Sequence, residues 1–243
     1  MAEQEVIKHT KKVFNIWSNK QLSFWHKTRE FLLEIAIIVF AISLSIWVHD
    51  KSQHNHQQKE VKEFLLGLRE DLLADLIEMK DDKESYKMQG RTFRYITSIP
   101  LGQLLNDDSL KKYKNWLFNI TRLVENNGRF EGFKAAGKIG AIEDEIIQNN
   151  IMDLYQENIP ALLASVDSYI RRKYQLFDFS IRNQKRITDS TTNISTILLT
   201  DEAQNICGFL ANPGEIITRY DSCINKMKTI QEEIENKYNV NDK

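Results

Sequence analysis

Apolar and polar positions along this chain follow two different patterns. Residues 31–48 are apolar at nearly every position, and residues 35–48 carry no charge and only Ser43 and Ser45 as polar side chains. As a helix this run spans roughly 27 Å, close to the ~30 Å hydrocarbon core of a bilayer. It lacks the solvated face of an amphipathic core helix. The apolar character continues through Leu44, Ile46, Trp47 and Val48, past the small-residue triplet Ala41-Ile42-Ser43, and a 30-residue leader precedes it. That arrangement predicts an uncleaved transmembrane helix rather than a signal peptide.

Beyond the run the pattern becomes periodic. Val61, Leu65, Leu68, Leu72, Leu76 and Met79 step by three and four, which predicts a juxtamembrane stalk helix over residues 49–98 with one apolar stripe, to be covered by the bundle or by another subunit. Similar stripes run through Ile159, Leu163, Val166, Ile170, Tyr174, Phe177 and Ile181, and through Ile216, Tyr220, Ile224, Met227, Ile230, Ile234 and Tyr238. Three such helices predict a helical bundle over residues 99–243, packed on the stalk. Asn212-Pro213 reads as a cap followed by proline at the first helical position, and Asp108 or Ser109 as the cap of a shorter helix through Leu110, Tyr113, Leu117 and Ile120. The residue before Pro160 predicts a break near Ile159. Residues 188–196 read as a linker. The expected fold class is all-α: a single N-terminal transmembrane helix continuing into a long stalk helix, then an extracytoplasmic helical bundle.

Composition agrees, with 42% hydrophobic and 28% charged residues, three prolines and nine glycines, the usage of one helical core. Charge sets an orientation. Residues 1–30 hold six basic and three acidic residues, a net +3, against 27 basic and 31 acidic in the remainder, a net −4. The positive-inside rule places the leader in the cytoplasm and residues 49–243 outside, in the periplasm if the membrane is a bacterial inner membrane. The leader itself spaces Val6, Val13, Phe14 and Trp17 among lysines and ends on Phe24 and Trp25, and reads either as an interfacial helix or as a disordered basic tail. Glu34, one turn into the span, reads either as an interfacial anchor paired with Arg29 or Lys27 or as a functional intramembrane carboxylate. A net charge of −1 argues against nucleic acid as a partner.

The chemistry the sequence lacks is informative. All five histidines, His9, His26, His49, His54 and His56, lie in the first 56 residues, which removes histidine-assisted nucleophiles and histidine zinc sites from the rest of the chain. His54 and His56 would point about 200° apart on a helix, so no metal is assigned to the cluster near Asp50. Gly132 to Lys138 matches a phosphate-binding loop as far as its lysine, but Ile139 stands where a Ser or Thr must reach magnesium, and no strand precedes it. Neither a nucleotide nor any other cofactor is expected, and the chain does not read as an enzyme.

The same stretch, Phe130-Glu131-Gly132-Phe133-Lys134-Ala135-Ala136-Gly137-Lys138-Ile139, resembles the signature of a family of single-pass membrane proteins common in Bacteroidota, known only as a domain of unknown function. Glu34-Ile35 opening the span and Leu68-Arg69-Glu70-Asp71-Leu72 followed by Asp75-Leu76 resemble two further motifs of that family. The likeness covers about residues 31–160. The chain departs from the family pattern at Phe31-Leu32-Leu33 and at His49-Asp50-Lys51. The resemblance implies an anchored helical domain and no reaction.

Read physically, the segment packs four glycines, Gly128, Gly132, Gly137 and Gly140, into 13 residues. It is either a short helix packed between turns or a ligand or partner contact using Arg129, Glu131, Lys134 and Lys138. Asp71 with Asp75 reads as a solvated face, and Glu143-Asp144-Glu145 as the acidic start of a helix. Arg171, Arg172, Lys173, Arg182, Lys185 and Arg186 read as a solvated basic face or a contact for an anionic lipid or protein. A turn near Asn212 sets Cys207 opposite residue 217 or so, out of register with Cys223 for a disulfide. The functional expectation is a bitopic membrane protein whose outer bundle mediates protein contacts, as a homo-oligomeric scaffold or an accessory subunit of an envelope complex. The alternative is a ligand-sensing ectodomain that signals through a membrane partner.

Overall fold

A computed structural model describes residues 7–8, 11–12, 14, 24–100, 102–103, 105, 112–113, 115–188 and 192–239. The protein is all-α, with no strand among the described residues beyond one isolated bridge between Arg186 and Thr192. Its elements are α1 (Phe24–Thr97), α2 (Gly128–Ala135), a 3₁₀ turn (Ile139–Ala141), α3 (Glu145–Asp153), a π turn (Leu154–Asn158), α4 (Ile159–Asn183), α5 (Ile194–Leu198), α6 (Asp201–Leu210) and α7 (Gly214–Tyr238). The chain divides into two compact units, Met1–Val61 and Lys62–Lys243, with the boundary inside α1.

In the first unit α1 is long and apolar enough to cross a membrane, and only 6% of its most apolar window is buried. Ile35, Ile37, Val39, Phe40, Ile42, Leu44, Ile46 and Trp47 are all exposed, while Phe31, Ile38 and Ala41, on the face of the buried Glu34, are half-buried.

In the second unit the stripe of α1 is the core. Leu65, Leu68, Leu72, Leu76 and Met79 are buried by the chain's own elements. α7 runs antiparallel to α1, as the pairs Arg69–Glu235 (2.7 Å) and Asp82–Tyr220 (2.9 Å) show. Its buried face is Ile216, Tyr220, Ile224, Met227, Ile230 and Ile234, the stripe read from the sequence. α7 starts at Gly214 with Pro213 at the N-cap, one residue later than expected.

Three expectations are corrected. No break occurs near Ile159: the backbone widens into the π turn, where the Ile159 N–H donates to the Leu154 carbonyl, and this i→i+5 spacing carries the chain through Pro160. The face α4 buries is rotated from the predicted one. Ile159, Val166 and Ile170 point inward as expected, joined by Leu162, Tyr169, Lys173, Leu176 and Ser180, while Tyr174, Phe177 and Ile181 stay exposed. The predicted helix ending at Ile120 stops at Leu117 among the described residues; its caps Asp108 and Ser109, like leader positions Val6, Val13 and Trp17 and linker positions 189–191, lie outside them. Cys207 and Cys223 are free buried thiols, and burial pushes them up to about 12 and about 11.

Candidate functional site

Residues 119–127, which follow the short helical turn at 115–117, form an extended strap along α1. From Tyr86 down to Asp75, α1 rises about 16 Å at 1.5 Å per residue, and the five steps from Thr121 to Asn126 cover the same length at about 3.3 Å per extended residue. The hydrogen bonds follow that register. The Tyr86 hydroxyl donates to the Thr121 carbonyl (2.5 Å), the Val124 N–H to Glu78 (2.8 Å), and the Asn126 N–H and side-chain amide to Asp75 (3.1 and 2.5 Å). Arg129 closes the ladder on Asp71 at 2.8 Å. Thr121 and Leu123 point inward while Ile120 and Val124 stay exposed. Asp71 and Asp75 therefore hold a chain segment in place of a solvated face. Burial raises the pKa of Asp75 above the usual carboxylate range, with the Asn126 hydrogen bonds opposing that rise.

Lys173 anchors the other side of the strap. Its ammonium is buried beneath α1 and donates to Gln89 Oε1 (2.8 Å) and to the carbonyls of Trp116 (3.1 Å) and Asn119. Gln89 in turn donates to the Thr121 hydroxyl at 3.1 Å. Three donors meet three neutral acceptors, and no carboxylate joins them among the described residues. Desolvation without a counter-ion lowers the pKa to about 7. This residue does not belong to the solvated basic face the sequence suggests.

The glycine-rich segment resolves into α2 and its terminus. The Lys138 N–H donates to the Phe133 carbonyl (3.1 Å) and the Gly137 N–H to the Lys134 carbonyl (2.9 Å), the paired bonds of a Schellman ending. Gly137 sits at φ +69°, where a side chain is strained, although nothing lies within 4 Å of where its Cβ would be. Phe130 stacks on Tyr155 at 4.3 Å and Phe133 on Phe64 at 3.9 Å, so the aromatic positions of the motif are packing anchors. Glu131 pairs with Lys134 at 3.5 Å, Lys134 lies over the Phe130 ring, and Lys138 is half-buried. Arg129, Glu131, Lys134 and Lys138 each have a neighbour to interact with, and none of the four lines the recess between α4 and α7. Two closer approaches come from glycines the sequence does not single out. A Cβ at Gly67 would meet the Arg129 guanidinium, and one at Gly90 would lie 2.7 Å from the Pro213 ring.

Glu34, in the first unit, is nearly fully buried, and Lys12 of the leader reaches it at 2.5 Å. An ion pair from that far upstream is not foreseen by the spacing, which favours neighbours one turn away. It neutralises the one carboxylate within the apolar run.

One recess with ligand-like dimensions lies between α4, the end of α6 and the first turns of α7, and another of about 410 Å³ lies between α4 and α6 at Asp178, Arg182 and Glu202. The first holds about 380 Å³. Small residues on one face of α4, Ala161, Ala164, Ser165 and Ser168, form its floor; Phe209, Pro213 and Ile216 form its walls, and Arg172, Glu215 and Arg219 supply charge. Glu215 accepts from Arg219 (3.0 Å) and from the Ser165 hydroxyl (3.0 Å), which hold its carboxyl below the usual range. Arg172 stacks on Phe209 with its guanidinium carbon 4.1 Å from the ring centre. Tyr169 is fixed beneath by donating to the Leu210 carbonyl at 3.0 Å. No group of three or more His, Cys, Asp or Glu side chains able to hold a metal ion is found among the described residues. The arrangement suits binding.

Comparison with known proteins finds no matching family model, no matching curated protein and no matching solved structure.

Proposed function

We propose that the protein is a bitopic membrane component, anchored by α1 with residues 1–30 in the cytoplasm, whose outer helical domain makes protein contacts as an oligomeric scaffold or accessory subunit of an envelope complex. One observation carries the reading: an 18-residue apolar run of which only 6% is buried, in the same helix whose later apolar stripe is fully covered. A soluble protein would leave that run facing water, at a cost of roughly 25 cal/mol per Å² of apolar surface. The charge difference of +3 before the span and −3 after it supports the orientation. The bound partners are then a lipid bilayer and protein, with neither nucleic acid nor nucleotide.

Two measurements test this. A topology reporter fused after Lys243 is expected to signal an extracytoplasmic position; a cytoplasmic signal overturns the orientation. Purification from mild detergent, with mass spectrometry of co-eluting chains, is expected to recover a reproducible membrane assembly, and a monomer with no companion contradicts the scaffold reading.

A further inference from the structure

We propose that the cleft between α4 and α7 receives an acidic side chain from a protein partner, with Arg172 as its anchor; this rests on the protein-contact reading above. The charges in the cleft do not balance. Its one carboxylate, Glu215, is already engaged by Arg219 and Ser165, whereas Arg172 meets no carboxylate among the described residues. Stacking on Phe209 occupies a face of the Arg172 guanidinium. All five N–H donors lie in the guanidinium plane, so stacking leaves the edge that grips a carboxylate in two parallel bonds available.

Size and openness choose between occupants. About 380 Å³ is near the lower end for small-molecule sites, which enclose most of their ligand, and this recess is open to solvent. Phe209 protrudes beside it with 62% of its surface exposed. An arginine paired with a protruding aromatic ring is the composition of a protein contact hot spot, where a larger surface covers the ring and excludes water around the charge pair. The fitting partner segment therefore carries an Asp or Glu next to an apolar residue that lies on Phe209.

The test places a photo-crosslinking amino acid at Ser168, an exposed residue of the cleft, in the full-length protein in the membranes of the cells that make it. The expected result is an adduct whose partner peptide, mapped by mass spectrometry, holds an acidic residue beside the crosslink. Arg172→Glu should lower the yield roughly tenfold, the loss expected for one charge-assisted bidentate pair. Changing the mapped partner acid to Lys should restore it. A fold defect caused by Arg172→Glu would not be rescued by a change in the partner, so absence of rescue overturns the proposal, as does an adduct insensitive to Arg172→Glu or mapped to a segment without an acid. Crosslinkers at Ile77 and Tyr174, exposed positions outside the cleft, separate the two readings. Adducts there with none at Ser168 overturn the cleft alone, and none at any position overturns both.

Discussion

Residues 35–48 and residues 65–79 belong to one helix, yet they solve the burial of apolar surface in opposite ways. The first stretch is apolar on every side and exposed at all but Ile38 and Ala41, which are half-buried; the second confines Leu65, Leu68, Leu72, Leu76 and Met79 to one covered face. The polar residues divide the same way. The second stretch carries a ladder, Asp71, Asp75 and Glu78, in which each carboxylate receives donors from the strap or from Arg129. The first has none, and the carboxylate that immediately precedes it, Glu34, is matched by Lys12. A protein interior supplies specific donors and acceptors at chosen positions, so it tolerates polar groups and demands a periodic pattern. Hydrocarbon supplies neither, and it selects for an unbroken apolar sequence.

The sharpest break of this comparison is a charge placed on the covered stripe. Leu68→Glu with Leu72→Glu buries two unpaired carboxylates, each costing several kcal/mol against a whole-domain stability of about 5–15 kcal/mol. Loss of cooperative melting and of much helical circular dichroism is expected, with the protein still in the membrane fraction because the span is untouched. Retained helicity with a smaller assembly would instead make the stripe an intersubunit surface.

Lys173 sharpens the interior side. Its pKa of about 7 in the fold lies below the usual 10.5, so between those values the unfolded chain binds the additional proton and stability rises with pH. Below pH 7 both states are protonated and the dependence vanishes. Denaturant unfolding at pH 7 and pH 9 should show wild type gaining up to about 1 kcal/mol per pH unit relative to Lys173→Met, which lacks the titrating group. Parallel responses would mean that the three acceptors hold the ammonium against desolvation.

The stripes of α1 and α7 were legible because their apolar residues have a single periodic solution. On α4 two solutions compete, one through Tyr174, Phe177 and Ile181 and one through Lys173, Leu176 and Ser180. Hydrophobicity favours the first, and the fold takes the second because Trp116 and Asn119 offer carbonyls to Lys173. That match is made by a strap with no periodic signal of its own, so no local pattern announces it. Arg172 was visible only as one of several basic residues, since its distinguishing feature, Phe209, is 37 positions away in sequence. Gly67 and Gly90 were invisible for the same reason: Arg129 and Pro213 approach them from distant elements.

A smaller effect separates strain from packing at the end of α2. Overpacking is not available at Gly137, where no atom lies within 4 Å of the point a Cβ would occupy, so Gly137→Ala and Gly137→Leu should cost a similar ~1–2 kcal/mol from the left-handed backbone alone. A much larger penalty for Leu would reveal crowding. Lys134→Ala and Lys138→Ala should each change stability by less than about 0.5 kcal/mol, as exposed or half-exposed substitutions do.

The division of α1 between two solvents is tested most directly by spin labels placed one at a time along residues 37–46 and 70–81 of the full-length protein in bilayers. The native Cys207 and Cys223 are buried and do not compete for label in the folded protein. Accessibility to oxygen and to a water-soluble nickel complex would be read at each position. The account predicts high oxygen and low nickel accessibility at every successive position of 37–46, and a 3.6-residue alternation over 70–81 in which the outward positions admit nickel. A helical alternation with nickel access within residues 37–46 would contradict it.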